Sequence, residues 1–169
     1  MSGRARPRVL VAGIGNSDRG DDGLGPAVIS RLRGEVPEGV RILECSGDVL
    51  ALIQEWAGFS TVIVVDAAAP LGQAGRIHRL DLTGEPLPVA FACSSTHAFG
   101  VAEAVELARS LGRLPSHLIA YLVEGSRFDI GAPFSPAVAK AADRVAERIL
   151  VELSRISGAR QPEGADRHA

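Results

Sequence analysis

The sequence predicts a single three-layer α/β/α domain built on a mostly parallel sheet of about five strands. Three observations carry this. Short β-branched apolar runs, such as TVIVVD at 61–66, alternate along the chain with longer segments of helical period. A run apolar on both faces marks a strand buried between two helical layers. Strands that alternate with helices pair in parallel and place their crossover helices on both faces of the sheet. Finally, 169 residues are enough for one such core, and neither an internal repeat nor an interior linker divides the chain.

The first strand is expected over 8–13, where the apolar run breaks at Gly13-Ile14-Gly15. A helix follows over 23–33 and ends in the polar GEVPEG at 34–39. The second strand covers 40–45, and a helix over 49–57 opens on Asp48 as N-cap. The third strand covers 61–66. Residues 75–82 alternate, with Ile77, Leu80 and Leu82 set against His78, Arg79 and Asp81, as an edge strand does. Pro86 and Pro88 then break the chain. A helix over 97–111 stops at Gly112, and a strand follows over 117–123. The last helix covers 136–156, with Ser135 at the N-cap and Pro136 at the first helical position. One domain thus spans 1–157. The tail 158–169, GARQPEGADRHA, has no apolar periodicity and is expected to be disordered.

Composition excludes several function classes. The net charge of −2 supplies no basic field for nucleic acid. No apolar stretch is long enough to span a bilayer, and the basic N-terminus runs into a strand without a signal-peptide pattern. Cys45 and Cys93 form no C-x-x-C pair, so reduced thiols and a cytoplasmic location are expected.

Chemistry concentrates where strands end. The loop after the first strand finishes in two adjacent carboxylates, Asp21 and Asp22, at the expected start of a helix. In an open α/β sheet, ligands bind at this edge. A dinucleotide fingerprint fails here, because Asp18 stands where its third glycine belongs and the acidic loop would repel pyrophosphate. Asp66 closes the third strand, either as a turn cap or as a site residue. His97 opens a helix, where the dipole disfavours the protonated ring and leaves neutral, metal-binding imidazole. His78, His117 and His168 read as solvated. Asp22, Asp66 and His97 together offer two oxygens and a nitrogen from three distant loops, a mixture that nickel or zinc accepts. No nucleophile elbow is present. Ser94, Ser95 and Cys93 read as capping or structural residues. Phe128 and Phe134 lie in the loop after the fifth strand, either contacting a ligand or pinning the loop to the core.

These residues bring a family into view. GIGNSDRGDDGLG at 13–25, Asp66 in VIVVDAA, STHAFGVAEAVELARSLGRLP at 95–115 and VEGSRFDIGAPFSPAV at 123–138 occur in order over most of 8–150. In this set the chain resembles the hydrogenase maturation proteases. The resemblance implies a twisted, mostly parallel sheet. It implies an endopeptidase that trims a short C-terminal extension from the precursor of a nickel–iron hydrogenase large subunit. It also implies metal-coordinating positions at Asp22, Asp66 and His97, an acid near them that activates water, with Asp21 available, and a monomer with no permanent cofactor. Nickel would come with the precursor as the element recognised. Some relatives carry Glu in place of the first acid, and many have Glu-Pro where this chain has Glu124-Gly125. Two other classes stay open on the residues alone: a non-enzymatic α/β module binding a nucleotide or metal, and a different hydrolase on the same scaffold.

Overall fold

A computed structural model describes residues 8–92 and 98–158. Its five strands are β1 (Val9–Ile14), β2 (Val40–Cys45), β3 (Thr61–Ala68), β4 (Ile77–Asp81) and β5 (His117–Glu124). The helices are α1 (Leu24–Leu32), α2 (Val49–Trp56), α3 (Val89–Ala92), α4 (Ala98–Ser110) and α5 (Pro136–Gly158). The strands form one sheet in the order β2-β1-β3-β5-β4. All neighbours are parallel except β4, which runs antiparallel along the free side of β5. The alternating stretch expected as an edge strand therefore takes the edge.

Each central strand is apolar on both faces because each face meets helices. Leu10, Ala12, Val62, Val64, Leu118 and Leu122 pack against α2, α3 and α4, with Trp56, Phe91 and Val105 among their partners. The alternate residues Val9, Val11, Ile63, Val65, Tyr121 and Val123 pack against α1 and α5. Two cores on either side of one sheet are the three layers that the sequence predicts. Asp48 caps α2 as expected, accepting a hydrogen bond from the Ala51 amide at 3.0 Å. No helix among the described residues is long and apolar enough to cross a membrane.

Three local differences bear on function. β3 does not end at Asp66; it continues to Ala68, so the carboxylate sits inside a buried strand. The Asp21-Asp22 pair precedes α1 as expected but lies in a helical turn of its own, the one-turn 3-10 helix Gly20–Gly23. The short helix α3 between Pro88 and residue 93 was not expected; it seats Phe91 in the core. The tail 159–169 lies outside the described residues.

Candidate active site at the β1/β3 switch point

The sheet order places the site. From β1 the chain moves to β2 on one side, then crosses to β3 on the other, so the strand order reverses between β1 and β3. A crevice forms at the carboxyl ends of the strands at such a reversal. Asp22 follows β1 and Asp66 lies near the end of β3, which pairs with β1 through Gly13 and Val65. Both aspartates are completely buried.

Glycines make the close approach possible. The turn carrying Asp22 folds back onto Gly15, whose φ of 139° suits only glycine and where an added Cβ would lie 1.9 Å from the Asp22 carbonyl oxygen. The Gly15 backbone thereby keeps Asp22 at the mouth of β1, and the Asn16 amide donates to Asp22 Oδ2 at 3.0 Å. At the start of α1, a Cβ on Gly25 would lie 2.3 Å from the Ile14 oxygen, so helix and strand touch through backbone alone.

Asp66 is electrostatically the most unusual group. Its Oδ1 accepts from the Ala67 amide at 2.8 Å, while Oδ2 is buried without a hydrogen-bond partner among the described residues. Burial pushes its carboxyl well above the ordinary carboxylate range, and the negative charge of Asp22 pushes it further, against the Ala67 hydrogen bond. The two carboxylates thus share one low-dielectric site. Such a pair holds a proton between its members or takes up a cation; a bare buried double negative is not stable. The donor set fits a divalent metal, because a buried carboxylate oxygen with no hydrogen-bond donor beside a second carboxylate is what a cation stabilises.

His97 lies outside the described residues, as do Cys93, Ser94 and Ser95. The chain resumes at Ala98, the first residue of α4. Gly100 in the first turn of α4 rests near the Gly47 carbonyl oxygen in the β2–α2 connection, so this helix begins at the carboxyl edge of the sheet. Side-chain alternation along β3 turns Asp66 to the face of Val64 and Ala68, which is the α4 face. The described neighbours of His97 therefore lie on the edge and face where Asp66 lies.

Asp21 has a different role from the one open to it in sequence. Its side chain accepts from the Ser126, Arg127 and Ser135 amides at 2.7, 3.0 and 2.8 Å, and from the Ser126 and Ser135 hydroxyls at 3.2 and 3.0 Å. Burial pushes its carboxyl up, but the hydrogen bonds outweigh burial and hold it below the ordinary range. A carboxylate so saturated is an anchor for the 125–135 loop and a poor base for water. Ser135 stands at the expected cap position, where its carbonyl accepts from the Ala139 amide at 2.9 Å, and its hydroxyl also donates to this anchor. Phe128 and Phe134 both pack partly buried against the α1/α5 core and pin the loop to it, while Phe134 also faces the groove beside the Asp22 turn. Beside the Asp22 turn, an open groove of about 390 Å³ runs along Ser17, Gly20, Pro26, Ser30 and Phe134.

Sequence reasoning missed Glu124 and misjudged His78. Glu124 is buried at the end of β5, and its Oε1 lies 2.8 Å from His78 Nε2. His78 was expected to be solvated, but it sits mostly buried on β4 beside that carboxylate and the Phe91 ring. Only the Val-Glu-Gly stretch after an apolar strand hinted at it: a charged residue where the buried pattern should end.

Comparison with known proteins agrees with this architecture. The family model HycI, described as hydrogenase maturation protease, matches residues 26–152, a span that contains Asp66 and His97 and begins just after Asp22. The hydrogenase expression/formation protein HupD of Bradyrhizobium diazoefficiens is 31% identical over 136 residues, covering 78% of this chain and 70% of HupD. Among solved structures, the hydrogenase maturating endopeptidase HybD of E. coli superposes with a TM-score of 0.75 at 24% identity, covering 88% of this chain and 93% of HybD. The nickel–iron hydrogenase maturation protease HycI of Thermococcus kodakarensis gives a TM-score of 0.68 at 25% identity, covering 89% and 95%.

Proposed function

Because this chain belongs to the hydrogenase maturation protease family, we propose that it is the endopeptidase that removes a short C-terminal extension from the nickel-loaded precursor of a nickel–iron hydrogenase large subunit. The observation that carries the reading is the pair of buried carboxylates, Asp22 and Asp66, at the strand reversal, with Asp66 Oδ2 lacking a hydrogen-bond donor among the described residues.

Asp22, Asp66 and His97 offer two oxygens and one imidazole nitrogen. That set is too small and too hard to hold nickel alone, so no cofactor is permanent and the metal arrives as part of the substrate. A precursor without nickel would then lack the group that these residues recognise. Burial and the neighbouring Asp22 charge raise the cost of ionising Asp66, and positive charge within reach offsets that cost. Metal-assisted hydrolysis follows more naturally than an aspartic-type dyad. Water attacks the scissile carbonyl carbon and passes its proton to a carboxylate. The C–N bond then breaks, and that proton goes to the departing amine. Asp21 is committed to the 125–135 loop, which leaves Asp22 and Asp66 for proton transfer. We assign the chain to the cytoplasm as a monomer, with the precursor as its partner and no role for nucleic acid or membrane.

The test is mass measurement of the large subunit after incubation with apo and nickel-loaded precursor, with chelator in the apo sample. Cleavage of only the nickel-loaded form is expected. Equal cleavage of both would refute the nickel checkpoint and favour a conventional hydrolase.

A further inference from the structure

We propose that Glu124 and His78 form a positioning pair that holds the 70–73 loop as one wall of the substrate cleft, so that Leu71 meets the precursor. This rests on the endopeptidase reading above and extends it to a binding element. The Glu124 side chain is 1% exposed, yet it serves a segment that is otherwise open to solvent. Its Oε2 accepts from the Leu71 amide at 3.1 Å and the Gln73 amide at 2.9 Å, and its Oε1 meets His78 Nε2. The main chain of Glu124 joins in: the Gly75 amide donates to its carbonyl at 2.7 Å, and its own amide donates to Arg76. One buried residue therefore fixes the return of the chain from β3 to β4.

Its location ties that loop to the site. In the β3/β5 register Asp66 lies opposite Leu122, and Ala68 lies opposite Glu124. By alternation Asp66, Ala68, Leu122 and Glu124 all point to the α4 face. The 70–73 loop leaves β3 two residues beyond that row, directly downstream of Asp66. His78 extends the link, because its ring packs edge-on against Phe91 at 4.8 Å, and Phe91 precedes the segment that leads to His97. The pair thus braces the chain that leaves β3 and, through Phe91, the short helix α3. A charged carboxylate with three donors in a buried position orders backbone far better than exposed loop residues order themselves. What it presents is Leu71, 42% exposed at the tip of the loop, an apolar contact suited to an extended peptide.

The experiment titrates labelled nickel-loaded precursor against wild type, Leu71→Ser, Glu124→Ala, Glu124→Gln and His78→Ala, and measures cleavage by mass in parallel. The expected result is a half-saturating precursor concentration about tenfold higher for Glu124→Ala and His78→Ala, with the maximal rate within about threefold of wild type. Glu124→Gln, which keeps an oxygen for the loop amides, should recover to within about threefold. Leu71→Ser, which keeps the backbone amide that Glu124 holds, should also weaken half-saturation. Hydrogen exchange at the Leu71 and Gln73 amides should accelerate in Glu124→Ala while β5 amides stay protected. Wild-type half-saturation in Leu71→Ser overturns the proposal even if Glu124→Ala does not fold. So does a Glu124→Ala effect confined to the maximal rate. A wild-type protein that binds the precursor but fails to cleave it overturns the endopeptidase reading alone, since the binding arm still reads the loop.

Discussion

Replacing Asp21 by alanine should cost the fold far more than a loop carboxylate usually would. Five donors converge on its two oxygens. The Ser126 and Ser135 hydroxyls can rotate to new partners, but three backbone amides cannot. Ser126 and Arg127 sit at exposed positions, so water can replace the carboxylate there, at about 0.5–1.5 kcal/mol each. Ser135 is 5% exposed, and its orphaned amide costs about 1–3 kcal/mol. The expected loss is about 4 kcal/mol, which at a urea slope of about 2 kcal/mol/M lowers the unfolding midpoint by about 2 M. Asp21→Asn should fall nearly as far, since its amide nitrogen would face donors. Acidity supplies a second check. The folded carboxyl lies below its unfolded value of 3.8, so its stabilisation is complete above that pH and disappears as pH falls through the folded value. The gap between wild type and Asp21→Ala should therefore narrow only in strong acid. A midpoint loss worth under about 1 kcal/mol at neutral pH would refute the anchor.

The remaining predictions are simpler. Asp66→Ala and His97→Ala should fold and melt much as wild type does yet fail to process nickel-loaded precursor; cleavage at the wild-type rate by both would refute the ligand assignment. Gly25→Ala should destabilise by about 3 kcal/mol or more, because the new Cβ meets the Ile14 backbone at 2.3 Å and backbone cannot move aside cheaply; an unchanged melting temperature would refute the contact. Removing 158–169, which contains no leucine, isoleucine, valine or aromatic residue, should shift the melting temperature little, as calorimetry would show. The isolated protein should bind nickel only weakly by equilibrium dialysis, because the metal is recognised inside the precursor.

Much of this was legible before any coordinates. Fully apolar runs had to be central strands, and the half-polar 75–82 stretch had to be an edge, because burial on two faces and on one leave different patterns. Asp48 before an apolar period was readable as a cap because capping is local chemistry. Asp22 and Asp66 were readable as one site because topology alone brings their strand ends together. His78 and Glu124 were not readable. They lie 46 residues apart and meet only through the antiparallel β4/β5 register, for which neither residue carries a local signal. The continuation of β3 past Asp66 was hidden for a related reason: Ala67 and Ala68 are weak strand formers, and pairing with β5 overrides that preference.

The sequence by itself determined the order of the five strands and the four longer helices, the two buried layers, and that Asp22 and Asp66 reach the carboxyl edge, since these follow from periodicity and chain order. Tertiary structure alone decided what each acid does. Asp21 and Asp22 are identical neighbours in sequence. One turn of 3-10 helix sends the first into a cluster of five donors and the second beside Asp66. The same carboxylate is held below its ordinary range where amides converge, and Asp66 is pushed above it where burial and a like charge meet. Environment, which only the folded chain creates, separates an anchor from a site.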